Sequence, residues 1–185
     1  MAQQARSGSQ RADARANHEA LLAAAAAIVS RAEVDLPYDE IALAAGVGRA
    51  TVYRHFPTRE TLSQAIIDAA LDHWDALVAS LAPGPGQFEE LFRAWARKQQ
   101  NAPYGDVLLT RCAPEHDLRR ARRRFEEILR EPIQAAQEFG SVAANLTAPD
   151  VRIILTMLSA VLRSPVSASD RRRATELARS MLFTS

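Results

Sequence analysis

Cysteine and lysine occur once each, as Cys112 and Lys98. A single cysteine excludes an intramolecular disulfide framework and fits a reducing, cytoplasmic setting. A lone thiol of this kind is ordinary core material rather than a catalytic group. The net charge of +1 excludes the overall basic excess of histone-like or ribosomal proteins, so any nucleic-acid contact must come from a local patch. No apolar run approaches the roughly 18 residues of a membrane span, so no membrane partner is expected. The run "ALLAAAAAIV" (Ala20 to Val29) imitates the apolar part of a signal peptide. Asp13 and Glu19, however, stand in its would-be positive region and no small-x-small cleavage site follows, so it reads as an Ala-rich amphipathic helix. His18, His55, His73 and His116 lack metal-ligand spacing, and neither a nucleophile elbow nor a Ser-x-x-Lys is present. Neither enzymatic activity, a catalytic residue, a metal site nor a cofactor is therefore expected.

What the chain does have is helical periodicity. Its 185 residues, 48% of them hydrophobic, suffice for one ordinary domain or two small ones with a sizeable core. Residues 1–12 are polar and read as a mobile arm. From Asp13 the apolar positions Leu21, Leu22, Ala25, Ile28 and Val29 recur at three- and four-residue spacings. "EVDLP" ends that helix, and Pro37 fits the first turn of a short second one, Tyr38 to Ala45, stopped by Gly46. A third helix follows over Arg49–Phe56. Pro57 breaks it, and Thr58 can cap a long fourth helix reaching Leu81. "APGPG" (Ala82 to Gly86) is the clearest linker. Beyond it the pattern predicts helices over Gln87–Gln100, Pro103–Arg111, Glu115–Phe139 (kinked by Pro132, closed by Gly140), Pro149–Leu162 and Ser169–Phe183. The expected fold is all-α, with about nine helices.

The chemistry concentrates in "AGVGRATVYRHF", Ala45 to Phe56. Its two glycines suggest a phosphate-binding loop. A dinucleotide fingerprint needs a preceding strand and a later acid within a βαβ unit, and neither is found. A helix-turn-helix accounts for more of the residues. Ala42 permits close helix crossing, Gly46 tolerates the turn, and Ile41, Val47, Val52 and Phe56 lock the pair inward. At 100° per residue, Ala50 and Arg54 then point most directly outward, flanked by Thr51 and Tyr53. Small Ala50 allows close approach to base edges, Thr51 suits a thymine methyl or a phosphate, and Arg54 can fork onto guanine O6 and N7. Tyr53, His55 and Arg59 suit phosphate contacts. Between Ile41 and Arg59 there are three arginines, one histidine and no acid, so the local field is positive. The plainer alternative is a solvated charged helix in an ordinary bundle.

The segment "YDEIALAAGVGRATVYRHFPTRETL", Tyr38 to Leu62, resembles the DNA-binding signature of the TetR/AcrR-type (tetracycline-repressor-like) bacterial transcriptional regulators. That resemblance implies a helix-turn-helix DNA-binding domain over 13–57. It also implies an effector-binding and dimerisation domain over 58–185, joined through the helix 58–81. The implied function is repression of a gene, relieved by a small molecule. It places DNA contacts on Arg49, Ala50, Thr51, Tyr53, Arg54 and His55, with Arg59 as a phosphate contact. Two departures stand out. Gly48 replaces a common capping Ser, and Pro37–Tyr38 replaces a Thr-rich helix start, leaving Tyr38 as the candidate phosphate contact there.

The C-terminal half carries no comparable motif. Aromatics recur at Phe88, Phe92, Trp95, Tyr104, Phe125 and Phe139, and each reads either as core or as pocket lining. The resemblance puts an effector cavity among these helices and the fourth. Its candidate liners are His73, Trp74, Phe92, Trp95, Tyr104 and Phe125, and the expected effector is apolar or aromatic. The last two helices carry Val151, Ile154, Leu155, Leu158, Val161 and Leu162, then Leu177, Met181, Leu182 and Phe183. By resemblance they pair with a second copy, with Ile154, Leu155, Leu158, Leu162, Leu177 and Met181 at the interface. Such a homodimer matches a palindromic double-stranded operator. The arginine runs Arg119–Arg124 and Arg171–Arg173 read as solvated faces, with i,i+4 pairs Arg122–Glu126, Arg123–Glu127 and Arg172–Glu176.

Overall fold

The computed structural model describes residues 16–25, 27–28, 37–101 and 114–184. The N-terminal arm, the expected helix Pro103–Arg111, Tyr104 and Cys112 lie outside the described residues. Eight helices are described: α1 (16–25 and 27–28), α2 (Tyr38–Ala44), α3 (Arg49–His55), α4 (Arg59–Ser80), α5 (Gln87–Asn101), α6 (Glu115–Glu138), α7 (Ala148–Arg163) and α8 (Ala168–Leu182). Among the described residues there is no strand. The fold is all-α, and each predicted helix boundary within them moves by a residue or so, the ordinary uncertainty of helix ends.

Contacts divide the chain inside α4 rather than at residue 57 or at the "APGPG" linker. One compact unit runs through Ala69; the other takes Ala70 onward through α5 and everything from Glu115. The 82–86 linker forms a turn inside the second unit. No helix among the described residues is long and apolar enough to cross a membrane.

The first unit is built around Leu21 and Ala25 of α1, Ile41 and Ala42 of α2, Val52 and Phe56, and Leu62 and Ile66 of α4. Leu21, Ile41, Val52 and Leu62 have no exposed surface. Burying each large side chain contributes about 1.5–3 kcal/mol, so α2 and α3, each of 7 residues and too short to be stable alone, are held by a core shared with α1 and α4.

In the second unit the inward positions of α5 (Phe88, Leu91, Phe92, Trp95) and α6 (Leu118, Ala121, Phe125, Leu129, Ile133, Ala136) repeat every three or four residues. Pro132 is itself buried, and α6 runs on through it as a single helix. Gly140, at φ +79°, ends α6: its N–H reaches Gln137 O at 3.0 Å and Ser141 N–H reaches Ala136 O at 3.0 Å. Phe139, expected among the pocket or core aromatics, is 74% exposed, because it is the last residue before that cap. Thr147 opens α7 in a reciprocal capping box with Asp150.

The arginine runs do lie on solvated faces, but their partners differ from the sequence spacing. Arg119 and Arg122 approach Glu115, Arg173 approaches Glu176, and Glu126 accepts from Arg152 of α7 at 2.9 Å. Arg124 donates to both Asp72 and Asp75 of α4 at 2.6 Å. Arg124 and Glu126 take their partners on another helix, which helix packing has already brought alongside them.

Candidate nucleic-acid interface

The turn between α2 and α3 follows from Gly46. Its φ of +68° is the left-handed conformation that side chains with a Cβ rarely adopt. Gly46 N–H reaches Leu43 O at 3.2 Å and Val47 N–H reaches Ala42 O at 3.0 Å, which satisfies the carbonyls at the end of α2. Gly48 then caps α3 without a side-chain hydrogen bond, and the adjoining cap of α2 falls on Pro37 rather than within its first turn.

Val52 and Phe56 turn α3 inward, and the opposite face is open. Arg49, Ala50, Tyr53, Arg54 and Arg59 are exposed, while Thr51 and His55 are half-buried. Ala50 and Arg54, expected to point most directly outward, are exposed together with the flanking Tyr53, and all of these side chains lie on α3 or the start of α4. Thr58 caps α4, its hydroxyl accepting from Thr61 N–H at 3.2 Å, which fixes where Arg59 begins the helix.

Tyr38 does not take the phosphate-facing position expected of it. It is buried, and its hydroxyl donates to Phe56 O at 3.0 Å, so it locks α2 to the end of α3 instead of facing a phosphate. Burial, and then the neighbouring Tyr53 phenol, hold its ionisation above the ordinary tyrosine value. The Tyr38 and Tyr53 rings lie 4.9 Å apart, so the buried ring braces the exposed one. His55 is braced similarly by His18 of α1, at 5.7 Å between ring centroids. Burial, then the His18 and Arg54 charges, keep His55 below the usual histidine value, favouring the neutral ring.

One charged neighbour of this face escaped the sequence reading. Asp39, on α2, receives both Nε and a terminal nitrogen of Arg49 on its two carboxylate oxygens. Counting acids only between Ile41 and Arg59 passed over it by two positions. The signal that could have found it is the tight Gly46 turn, which folds the start of α3 back beside the start of α2. Asp39, Arg49, Tyr53, Thr58 and Arg59 line a cleft of about 490 Å³.

The other expected sites are distributed differently. Phe92, Trp95 and Phe125 are buried, and Trp74, half-buried, meets Phe125 edge-on at 5.3 Å. The void lined by Trp74, Phe92 and their neighbours is about 10 Å³, room for at most one water. These four are core side chains in this conformation, because the spacing that lines a pocket also fills a bundle. His73 is exposed on α4 rather than lining that void. Ile154, Leu155, Leu158 and Leu162 are buried within the chain, so they are not a free dimer face. On α7 and α8 the exposed large apolar side chains are Ile153, Met157 and Val161 with Leu177 and Met181. Only Leu177 and Met181 of the expected interface are exposed.

Residues 21–66 match the family model described as bacterial regulatory proteins, tetR family. Among solved structures, a TetR transcription regulatory protein from Mycobacterium vanbaalenii is 29% identical, with a TM-score of 0.65 over 95% of this chain and 99% of that one. A TetR-family regulator from Agrobacterium tumefaciens is 14% identical, with a TM-score of 0.74 over 92% and 100%. A TetR regulator from Streptomyces coelicolor is 24% identical, with a TM-score of 0.62 over 91% and 99%. The two less similar chains share the fold. A comparison with curated protein sequences found no match. Residues 21–66 are thus similar to the DNA-binding segment of the tetR-family regulators, and the fold of the chain as a whole is similar to that of TetR regulators of known structure.

Proposed function

We propose that this regulator is a homodimeric repressor that leaves its operator when a small molecule binds. The observation that carries its DNA-facing half is the sorting of α3: Val52 and Phe56 are buried while Ala50, Tyr53 and Arg54 on the opposite side are exposed. Arg54 reads a guanine in the major groove; Arg49, Thr51, Tyr53, His55 and Arg59 hold the backbone. The operator is palindromic, with half-sites about 34–36 Å apart, as a twofold dimer requires. The segment 13–57 acts as the DNA-binding domain and 58–185 as the effector and dimer domain.

The effector is an apolar or aromatic molecule taken up beside Trp74, Phe92, Trp95, Phe125 and Tyr104. It selects a conformer whose small void has opened and whose α3 helices no longer fit the operator. Helix α4, with residues in both compact units, transmits the change. Because coupling is reciprocal, operator DNA weakens effector binding by the same factor.

A mobility shift on the DNA upstream of the protein's own gene tests this reading. Retardation that Arg54→Ala makes less sequence-selective, and that Arg59→Ala weakens evenly, supports it. No retardation at low salt overturns it. A ligand panel read by tryptophan fluorescence and by release of the DNA tests the effector, and binding of highly charged compounds alone rejects the apolar class.

A further inference from the structure

Arg49 opens α3 at the edge of the cleft, and the charge facing it is not solvent but Asp39. A carboxylate that takes the guanidinium fork with both oxygens uses the same two N–H directions that a phosphate takes. Both side chains are more than half exposed, so the pair is accessible to DNA and can exchange. We propose that Asp39 is an internal competitor for the DNA phosphate at Arg49, and so sets how much non-specific DNA affinity the recognition helix has.

The proposal rests on α3 being the DNA-binding element. In the free protein, the Asp39 carboxylate occupies the Arg49 fork. A phosphate approaching that position must displace the carboxylate and then remain beside its charge. Arg49 therefore adds less to backbone affinity than its exposure suggests. Contacts that read bases, such as that of Arg54, are untouched, so the effect falls on the sequence-independent part of binding. The sequence-independent grip is thereby reduced without loss of a base contact, which raises the ratio of specific to non-specific binding.

The test is binding of the full chain to a mixed-sequence duplex, titrated between about 50 and about 200 mM salt. Asp39→Asn should tighten this binding by roughly two- to fivefold per protomer, the range for releasing one exposed ion pair. It should also steepen the salt dependence by about 0.9 per protomer, the share of one added phosphate contact. Asp39→Ser should do the same, and thermal melts followed by circular dichroism should show both variants folded. In an Arg49→Ala background, Asp39→Asn should have no more effect than Glu40→Gln, which makes the same charge change one residue along α2. Unchanged affinity and slope in Asp39→Asn, or an equal gain with Arg49 absent, overturns the competitor role while leaving DNA binding by α3 intact. Retardation by none of the proteins overturns both.

Discussion

Tyr38 and Tyr53 lie 4.9 Å apart, yet one is buried and the other 55% exposed, and the difference separates a structural from a functional aromatic. Tyr38→Phe removes the hydroxyl that donates to Phe56 O and leaves that carbonyl without its side-chain partner. The expected loss is about 1 kcal/mol of stability, measured by urea denaturation, with the ring packing kept. His55 gives a pH dependence with a defined sign. Its folded value lies below the ordinary 6.5, so the unfolded chain binds this proton more readily. Its contribution is fully present above 6.5 and is lost as pH falls through the lower folded value. Melting temperatures of the native chain should decline through that window more steeply than those of His55→Gln.

At the scale of elements, Gly46 and the cap of α4 were legible because each is local chemistry. A glycine directly after a short apolar-patterned segment specifies a left-handed turn whatever packs around it. Gly46→Ala meets open space, so crowding is not the cause of its cost; the φ of +68° is. It should destabilise the first unit by about 1 kcal/mol and weaken duplex binding, because the turn sets the crossing of α2 and α3. Equal stability in a chemical melt would place the turn's control elsewhere. The Asp39–Arg49 contact was not legible at this scale. It joins residues ten apart across that turn, and only the crossing of the two helices decides whether they meet.

Over the whole molecule, the apolar positions of α7 outnumber one buried face. The five positions Val151, Ile154, Leu155, Leu158 and Leu162 are enclosed by the chain itself. Ile153, Met157 and Val161, spaced four apart, form a second, exposed stripe, and Met157 and Val161 join Leu177 and Met181 around a shallow groove of about 210 Å³ that Ile154 and Leu158 also line. In the proposed dimer this stripe meets its copy. Met157→Glu and Leu177→Glu should therefore shift light-scattering mass toward the 20.3 kDa monomer while each chain keeps its helical signal. Leu158→Ala should behave differently, losing about 2–5 kcal/mol of stability because it opens a cavity inside the chain. Dimers that survive the two surface substitutions would reject this face.

The helical class, the helix-turn-helix and the outward face of α3 are written in the residue pattern alone. These follow from periodicity, one glycine and two buried apolar side chains, all acting within a few residues of one another. Helix packing alone sorts the apolar positions of α7 into core and surface. It alone turned Tyr38 inward, gave Glu126 to Arg152 of α7 and set Arg124 against Asp72 and Asp75 of α4. It alone set Asp39 against Arg49. Each of these depends on where a second helix lies, and a side chain's spacing along its own helix carries no record of what stands opposite it.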